Sequence, residues 1–278
     1  MLRKALQKNK KGVGVAITET QFNFLVVEQD PAGINIIEEG CFRTEELDKA
    51  IHYLQTHYKD IPCHLALPNR FLVLKILEFS SYFKERDVRN LVQYNAEEYF
   101  ACPAETMFFD VEFLCALRKK IRVLAGKRDY IDKWQNIFVR AGLNIKTITA
   151  DILAVEKILT YYGVIESDKV YALFIVTATE CLQAIIIDCH MCILANNLVI
   201  KNTLESYQEE MLTFFRRYES SKTFMQPITD IILLGCEASL FKKIHHNVSL
   251  PIIGEEKLGD IVAMHPNRLI PLGMVLSC

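Results

Sequence analysis

The sequence predicts an α/β protein in which one order of elements, three strands followed by a helix and a strand, occurs twice. The two copies begin near residues 12 and 170, and the residues between them show a strand and helix alternation of their own. The 278 residues are 51% hydrophobic and 24% charged, which is enough apolar material for two lobes, each with its own core.

The first copy opens with a β-meander, because short apolar runs bounded by turn residues are typical of consecutive hairpin strands. These three runs cover residues 12–17, 22–28 and 34–41. A helix follows with Thr44 as its expected N-cap, and its apolar residues recur at helical spacing from Leu47 to Tyr58. The copy ends with a strand over 63–67, which Pro68 terminates.

The second copy repeats this order without sequence identity to the first. Its meander covers residues 170–179, 182–188 and 192–200. A helix over 202–218 and a strand over 229–234 follow, and Gly235 ends the strand. A duplicated meander with crossover helices is the plan of the actin/Hsp70-like fold, in which two ribonuclease-H-like lobes flank a nucleotide cleft. We therefore predict that fold class.

The residues between the copies predict an inserted split-βαβ subdomain with the order β-α-β-β-α-β. Its elements are predicted at 71–79, 84–100, 107–113, 120–126, 129–141 and 145–148, and Gly142 is placed to end the second helix.

The resulting division has four parts. Residues 1–68 form the first lobe and 69–148 form the inserted subdomain, a four-stranded sheet placed on that lobe. Residues 149–169 hold a linking helix, and 170–278 form the second lobe with a return segment.

Composition excludes several classes of function. The net charge of -2 gives no basic field for nucleic acid. Nine scattered cysteines indicate reduced cytosol rather than a disulfide framework. The basic start lacks the apolar core of a signal peptide, and no apolar run reaches the roughly 18 residues of a membrane span. We expect a cytoplasmic protein whose first residues are either solvated or in contact with an anionic membrane surface.

Reactive-looking clusters have simpler interpretations. Cys189 and Cys192 form a CxxC pattern at a hairpin tip without a second ligand pair, which favours a turn over a zinc or redox site. The pair His245-His246 follows a helix, and Glu97-Glu98 suits a solvated helix face. We predict no catalytic residue, no cofactor site and no metal site.

Three segments carry a family resemblance. They are 89–114 (RNLVQYNAEEYFACPAETMFFDVEFL), 123–159 and the final 267–278 (NRLIPLGMVLSC). In order and spacing they resemble PilM, the cytoplasmic actin-like component of type IV pilus assembly. The passage from Ile200 almost directly into the next helix leaves out a subdomain of that family, as in shortened forms from competence pilus operons.

The nucleotide motifs depart from the family pattern. Gly14 stands where actin-like ATPases place an aspartate in the first hairpin, and Ala16 stands where they place a glycine. The second phosphate motif is replaced by residues 175–177 (IVT), and the adenosine motif by 234–237 (LGCE), which keeps one glycine. The resemblance therefore implies an inactive ATPase with no cofactor. The alternative is an actin-like ATPase that still binds ATP and Mg²⁺.

The resemblance also implies a partner, the N-terminal cytoplasmic peptide of a bitopic inner-membrane protein like PilN. The peptide would lie in a groove between the first lobe and the insert. The residues carried over are Asn95, Tyr99, Phe100 and Pro103. Tyr99 and Phe100 point about 100° apart on a helix, so one of them is expected to line the groove.

Alternatively, all four residues only pack within the insert and contact no peptide.

Pilus motor ATPases are a second candidate partner, and the protein would be peripheral at the inner membrane. A related cell-division or type II secretion component with the same fold is a third possibility.

Overall fold

A computed structural model describes ten stretches of the chain: 10–31, 33–79, 84–113, 120–178, 181–188, 191–199, 204–220, 226–235, 250–253 and 266–276. The strands in these stretches are β1 (Lys10–Ile17), β2 (Gln21–Asp30), β3 (Gly33–Arg43), β4 (Cys63–Leu67), β5 (Leu72–Glu78), β6 (Met107–Phe113), β7 (Lys120–Lys127), β8 (Ile145–Ala150), β9 (Val170–Ala178), β10 (Cys181–Asp188), β11 (Met191–Val199) and β12 (Asp230–Leu234). The helices are α1 (Leu47–Tyr58), α2 (Glu85–Tyr94), α3 (Ala96–Phe100), α4 (Arg128–Arg140), α5 (Asp151–Tyr161), α6 (Leu204–Ser220) and α7 (Pro266–Leu276).

Two sheets confirm the predicted duplication. The first has the order β3-β2-β1-β4-β8, with β1, β4 and β8 parallel and β2 antiparallel to both of its neighbours. The second has the order β11-β10-β9-β12, with β9 and β12 parallel. Each lobe is thus a meander whose first strand pairs with a later parallel strand. The chain has the predicted actin-like fold of two ribonuclease-H-like lobes.

The chain divides into two compact units. Unit 1 holds residues 1–68, 130–158 and 267–278, and unit 2 holds 69–129 and 159–266. The first sheet belongs to unit 1. The second sheet and the inserted sheet belong to unit 2.

Unit 1 is built around strands that are buried over most of their length, which explains why β1 and β4 are almost continuously apolar. On one face, Phe22 of β2 stacks on Phe138 of α4 at 6.2 Å, and α1 buries Leu54. The helix α5 is buried over most of its length, including the charged residues Asp151 and Glu156.

Helix α7 approaches its neighbours through two glycines. A Cβ atom on Gly14 of β1 would lie 1.8 Å from the carbonyl oxygen of Pro271. A Cβ atom on Gly273 of α7 would lie 2.0 Å from the carbonyl oxygen of Ala154 in α5. Only glycine permits such close backbone contact. These two positions therefore fix α7 against β1 and α5.

The predicted boundary of the insert is wrong. The inserted sheet has three strands in the order β5-β7-β6, not four, and β8 pairs in parallel with β4 in the first lobe. A parallel partner requires a crossover connection, and α4 supplies the crossover helix from β4 to β8. The insert therefore ends before α4. Gly142, at φ +69°, follows α4 as predicted.

The insert belongs to the unit of the second lobe, which corrects the prediction that it lies on the first. Strand β5 contacts β11, and Ile76 packs against the core of the second lobe. The buried guanidinium of Arg122 donates to the carbonyl oxygen of Cys192 at 3.3 Å and pairs with Glu112 at 2.5 Å. A buried charge needs such partners, so Arg122 ties the inserted sheet to β11.

The second lobe has its core between its sheet and α6. Phe174 of β9 meets Phe214 of α6 edge-on at 5.8 Å, and Tyr207 and Met211 of the same helix are buried beside it. Strand β11 ends at Val199 and α6 begins at Leu204. The residues 200–203 leave no room for a subdomain, which confirms the predicted short connection.

Candidate functional site

The four predicted docking residues lie on one continuous segment at the end of the insert's helices, here called the docking segment (residues 94–106). It runs from the last residue of α2 through α3 and into a 3-10 turn before β6. The chain bends between α2 and α3 at Asn95, whose φ of -100° and ψ of 23° depart from helical values.

Asn95 holds this bend in place. Its side-chain Nδ2 donates to the carbonyl oxygen of Leu91 at 2.9 Å, and its backbone N–H donates to the same oxygen. Its own carbonyl oxygen accepts from the N–H of Tyr99 at 3.0 Å. The side-chain amide of Asn95 therefore already bonds the last turn of α2.

Phe100 is the aromatic residue that faces the inserted sheet. It packs against the cluster between α2 and the sheet, and its ring lies 5.3 Å from that of Phe109 on β6. The buried members of this cluster are Val88, Val92, Val111, Ile121 and Val123.

Tyr99 stands edge-on to Phe100, with 6.4 Å between ring centroids and an interplanar angle of 89°. Both side chains are half-buried. Of the two rings, Phe100 is therefore the one that packs on the sheet.

Lys75 contacts the docking segment from β5, the outer strand of the inserted sheet across from β6. Its ammonium group donates to the carbonyl oxygen of Tyr99 and lies 5.6 Å from the centroid of the Phe100 ring. The last carbonyls of a helix lack intrahelical partners, so a cation at this place satisfies one of them. Sequence reasoning missed Lys75, because the two residues are 24 positions apart.

Arg128 fixes the turn that follows α3. Its Nε donates to the carbonyl oxygen of Glu105 at 2.9 Å, and its guanidinium lies 4.0 Å from the ring of Phe108. The turn itself begins at Pro103, whose carbonyl oxygen accepts from the hydroxyl of Thr106 at 2.7 Å. Pro103 is exposed on this fixed turn. Sequence reasoning missed Arg128 as well.

Ala101 ends α3 in the left-handed region at φ 53°, and it is the one non-glycine residue with positive φ in the described stretches. Replacement by glycine should raise the free energy of unfolding by about 0.5–1 kcal/mol, because the strained Cβ is removed. Chemical denaturation measures this. Ala96→Gly at the buried first position of α3 is the control and should lower stability by about 1 kcal/mol, because it removes a buried methyl group. A loss of stability in both variants would contradict the assigned strain.

Apolar side chains are exposed near these residues in sequence. Tyr94, the last residue of α2, is 89% exposed, and Phe71 just before β5 and Val73 within it are each 41% exposed. Val73 lies on the same face of β5 as Lys75, because side chains alternate along a strand. Tyr94 thus gives the docking segment a solvent-exposed aromatic side chain of its own.

The nucleotide-motif positions that the structure describes lie in strands. Gly14 and Ala16 are in β1, with Gly14 against Pro271 and Ala16 buried opposite Asn23. Ile175 is buried in β9 between Gln183 and Leu234. Gly235 follows β12 at φ +70°. The remaining residues of the adenosine motif lie outside the described stretches.

Some predicted clusters fall outside what the structure describes. Cys189, His190 and the pair His245-His246 are not among the described residues, whereas Glu97 and Glu98 are exposed on α3 as expected. Within the described stretches, no group of three or more histidine, cysteine, aspartate or glutamate side chains could hold a metal ion. None of the described helices is long and apolar enough to span a membrane.

Comparison with known proteins rests on structure. No family model matches the sequence, and no curated protein matches it. The solved PilM-PilN type IV pilus biogenesis complex includes a chain with a TM-score of 0.72 at 13% identity, covering 96% of this chain and 98% of that one.

Two further structures are similar. The cytoplasmic domain of EpsL, an inner-membrane component of the type II secretion system of Vibrio cholerae, gives a TM-score of 0.55 at 14% identity and covers 81% of this chain and 82% of that one. A Bacteroides thetaiotaomicron protein of unknown function with an actin-like ATPase fold gives 0.56 at 12% identity over the whole of both chains. At sequence identities of 12% to 14%, this structural similarity establishes the fold alone.

Proposed function

We propose that this protein is a non-catalytic, actin-like adaptor of a type IV pilus assembly machine, at the cytoplasmic side of the inner membrane. Its docking segment would hold the N-terminal cytoplasmic peptide of a PilN-like bitopic protein. The observation that carries the proposal is a fold similar to a PilM-PilN complex over 96% of the chain. The sequence resemblance in the docking segment supports it, and the pilus motor ATPases are a second candidate partner.

The geometry of the docking segment suits a short apolar peptide. Tyr99 offers a half-buried ring on a backbone that Asn95 and Lys75 hold in place. Aromatic anchors on a fixed backbone supply much of the binding energy at small interfaces. Pro103 adds a rigid exposed edge.

The adaptor proposal is tested by fluorescence anisotropy with the first dozen residues of the PilN-like protein encoded in the same genome. We expect binding near micromolar, roughly -8 kcal/mol, for a short apolar peptide. A scrambled peptide of the same composition is the control. Equal binding of the two peptides, or no binding of the native one, would overturn the adaptor proposal.

The proposed loss of catalysis rests on Gly14. Phosphoryl transfer depends on a metal ion and on a group that positions the attacking water, and the family aspartate supports that ion. At Gly14 no carboxylate is present, and the adjacent carbonyl of Pro271 leaves no space for a Cβ atom. The position therefore serves the packing of α7.

We expect the purified protein to show no ATP binding tighter than millimolar, with or without Mg²⁺. The physical reason is that no carboxylate at position 14 supports a metal against the triphosphate. Isothermal titration calorimetry measures this, with an active actin-like ATPase as the positive control. Micromolar, Mg²⁺-dependent binding would favour the alternative of a functional ATPase.

A second candidate is a type II secretion component, which the similarity to the EpsL cytoplasmic domain favours. The genes beside this one would distinguish the two candidates, because pilus and secretion operons encode different secreted subunits and outer-membrane channels.

A further inference from the structure

A basic cavity lies in unit 1, apart from the docking segment. Its volume is about 500 Å³, and it opens where the three parallel strands β1, β4 and β8 begin. Its polar lining comes from Lys10, Lys11, Gln29, His64, Lys146 and Thr147. Gly12, Pro62 and Val275 complete the wall.

The charged residues described in the lining of the cavity all belong to the basic class. Three of its lining residues are lysines, and none of the described residues that line it is acidic. Lys146 is exposed on the outer strand β8, and Lys11 lies 5.7 Å from the ring of Tyr58. Several cations around a concave site raise the local concentration of anions.

One wall of the cavity is formed by a buried polar pair on neighbouring strands. His64 is only 3% exposed, and its Nδ1 lies 2.9 Å from the hydroxyl oxygen of Thr147 on the neighbouring strand. Burial, followed by the charges of Lys157 and Lys146, lowers the pKa of His64, so its imidazole is neutral at pH 7. A neutral imidazole beside a hydroxyl adds directional hydrogen bonding to the charge of the lysines.

We propose that this cavity binds a phosphomonoester. A dianionic phosphate suits two or three ammonium groups, because charge-assisted hydrogen bonds to phosphate are about twice as strong as neutral ones. A volume near 500 Å³ exceeds what phosphate alone fills, and Val275 and Pro62 present an apolar surface for an organic group. The phosphomonoester could belong to a small metabolite or to the headgroup of phosphatidic acid.

The test uses two probes on the full chain: glycerol 3-phosphate, and phosphatidylcholine vesicles that contain phosphatidic acid. Vesicles with phosphatidylglycerol, a phosphodiester, are the control. NMR of the His64 ring reports occupancy, because an anion beside Lys146 should raise the pKa of His64. His64→Gln assigns the signal among the seven histidines.

We expect Lys146→Gln and Lys11→Gln each to weaken binding about tenfold. Lys133→Gln removes the same charge from α4 and should leave binding unchanged. A response to glycerol 3-phosphate assigns the site to a soluble ligand, and a response to phosphatidic acid alone assigns it to a lipid; either supports the proposal. It is overturned if neither probe shifts His64, or if Lys146→Gln and Lys133→Gln bind alike.

Discussion

Replacing Gly14 by alanine should lower the free energy of unfolding by about 3 kcal/mol, at the upper end of the usual range for overpacking. The new Cβ would lie 1.8 Å from the carbonyl oxygen of Pro271, so the backbone of β1 or of α7 must move. Neither can rotate away as a side chain does. Urea denaturation followed by circular dichroism measures the change as a lower transition midpoint.

Gly12→Ala is the matched control, two residues earlier in the same strand. A Cβ there would meet the Cγ1 atom of Val275 at 2.9 Å, and a side chain can adjust to that contact. We expect a loss of about 1 kcal/mol or less, which Val275→Ala should relieve. If Gly12→Ala and Gly14→Ala shifted the midpoint equally, the assigned contact with the α7 backbone would be wrong.

The same contact bears on the aspartate that actin-like ATPases place at this position. An aspartate at position 14 would place its Cβ in the carbonyl of Pro271, so no carboxylate fits there while α7 keeps this position. The glycine is thus part of a packing arrangement that also includes Gly273 against Ala154. Under the proposed absence of catalysis, Gly14 and Gly273 serve the packing of α7.

Sequence patterns predicted the elements well because the signals are local. The strands of both meanders, the helices α1 and α6, and the glycine after α4 follow from periodicity and turn residues. Their duplicated order was sufficient to predict the fold class. The structure shifts most of these bounds by no more than two residues.

Pairing partners could not be predicted in the same way. The short strand β8 has a pattern that suits either the inserted sheet or the first sheet, and pairing joins residues far apart in the chain. Ile145 pairs with Cys63 across more than 80 positions. The sequence therefore assigned β8 and α4 to the insert, although they complete the first lobe.

In the candidate site, too, the residues marked by a local sequence pattern were predicted and those brought in from distant elements were not. Asn95, Tyr99, Phe100 and Pro103 were found because they lie on one segment that resembles a family motif. Lys75 and Arg128 hold that segment from other elements, and no local pattern marks them. Sequence can thus suggest a docking surface but not what supports it.

Tyr99→Ala should weaken binding of the PilN-like peptide about 30-fold, which corresponds to about 2 kcal/mol for the loss of an aromatic anchor. Its ring is half-buried and stands outside the packed cluster that holds Phe100. We therefore expect the stability of the protein to change little. Anisotropy measures the affinity, and circular dichroism confirms that the variant is folded.

Phe100→Ala should affect both quantities, because the ring packs on Phe109 and the cluster beneath α2. Tyr161→Ala removes an exposed aromatic side chain outside the docking segment and should leave affinity unchanged. If neither Tyr99→Ala nor Phe100→Ala changed the affinity of the folded protein, these residues would only pack the insert. If affinity fell in Phe100→Ala alone, in step with its stability, the ring would act by supporting α3 rather than by touching the peptide.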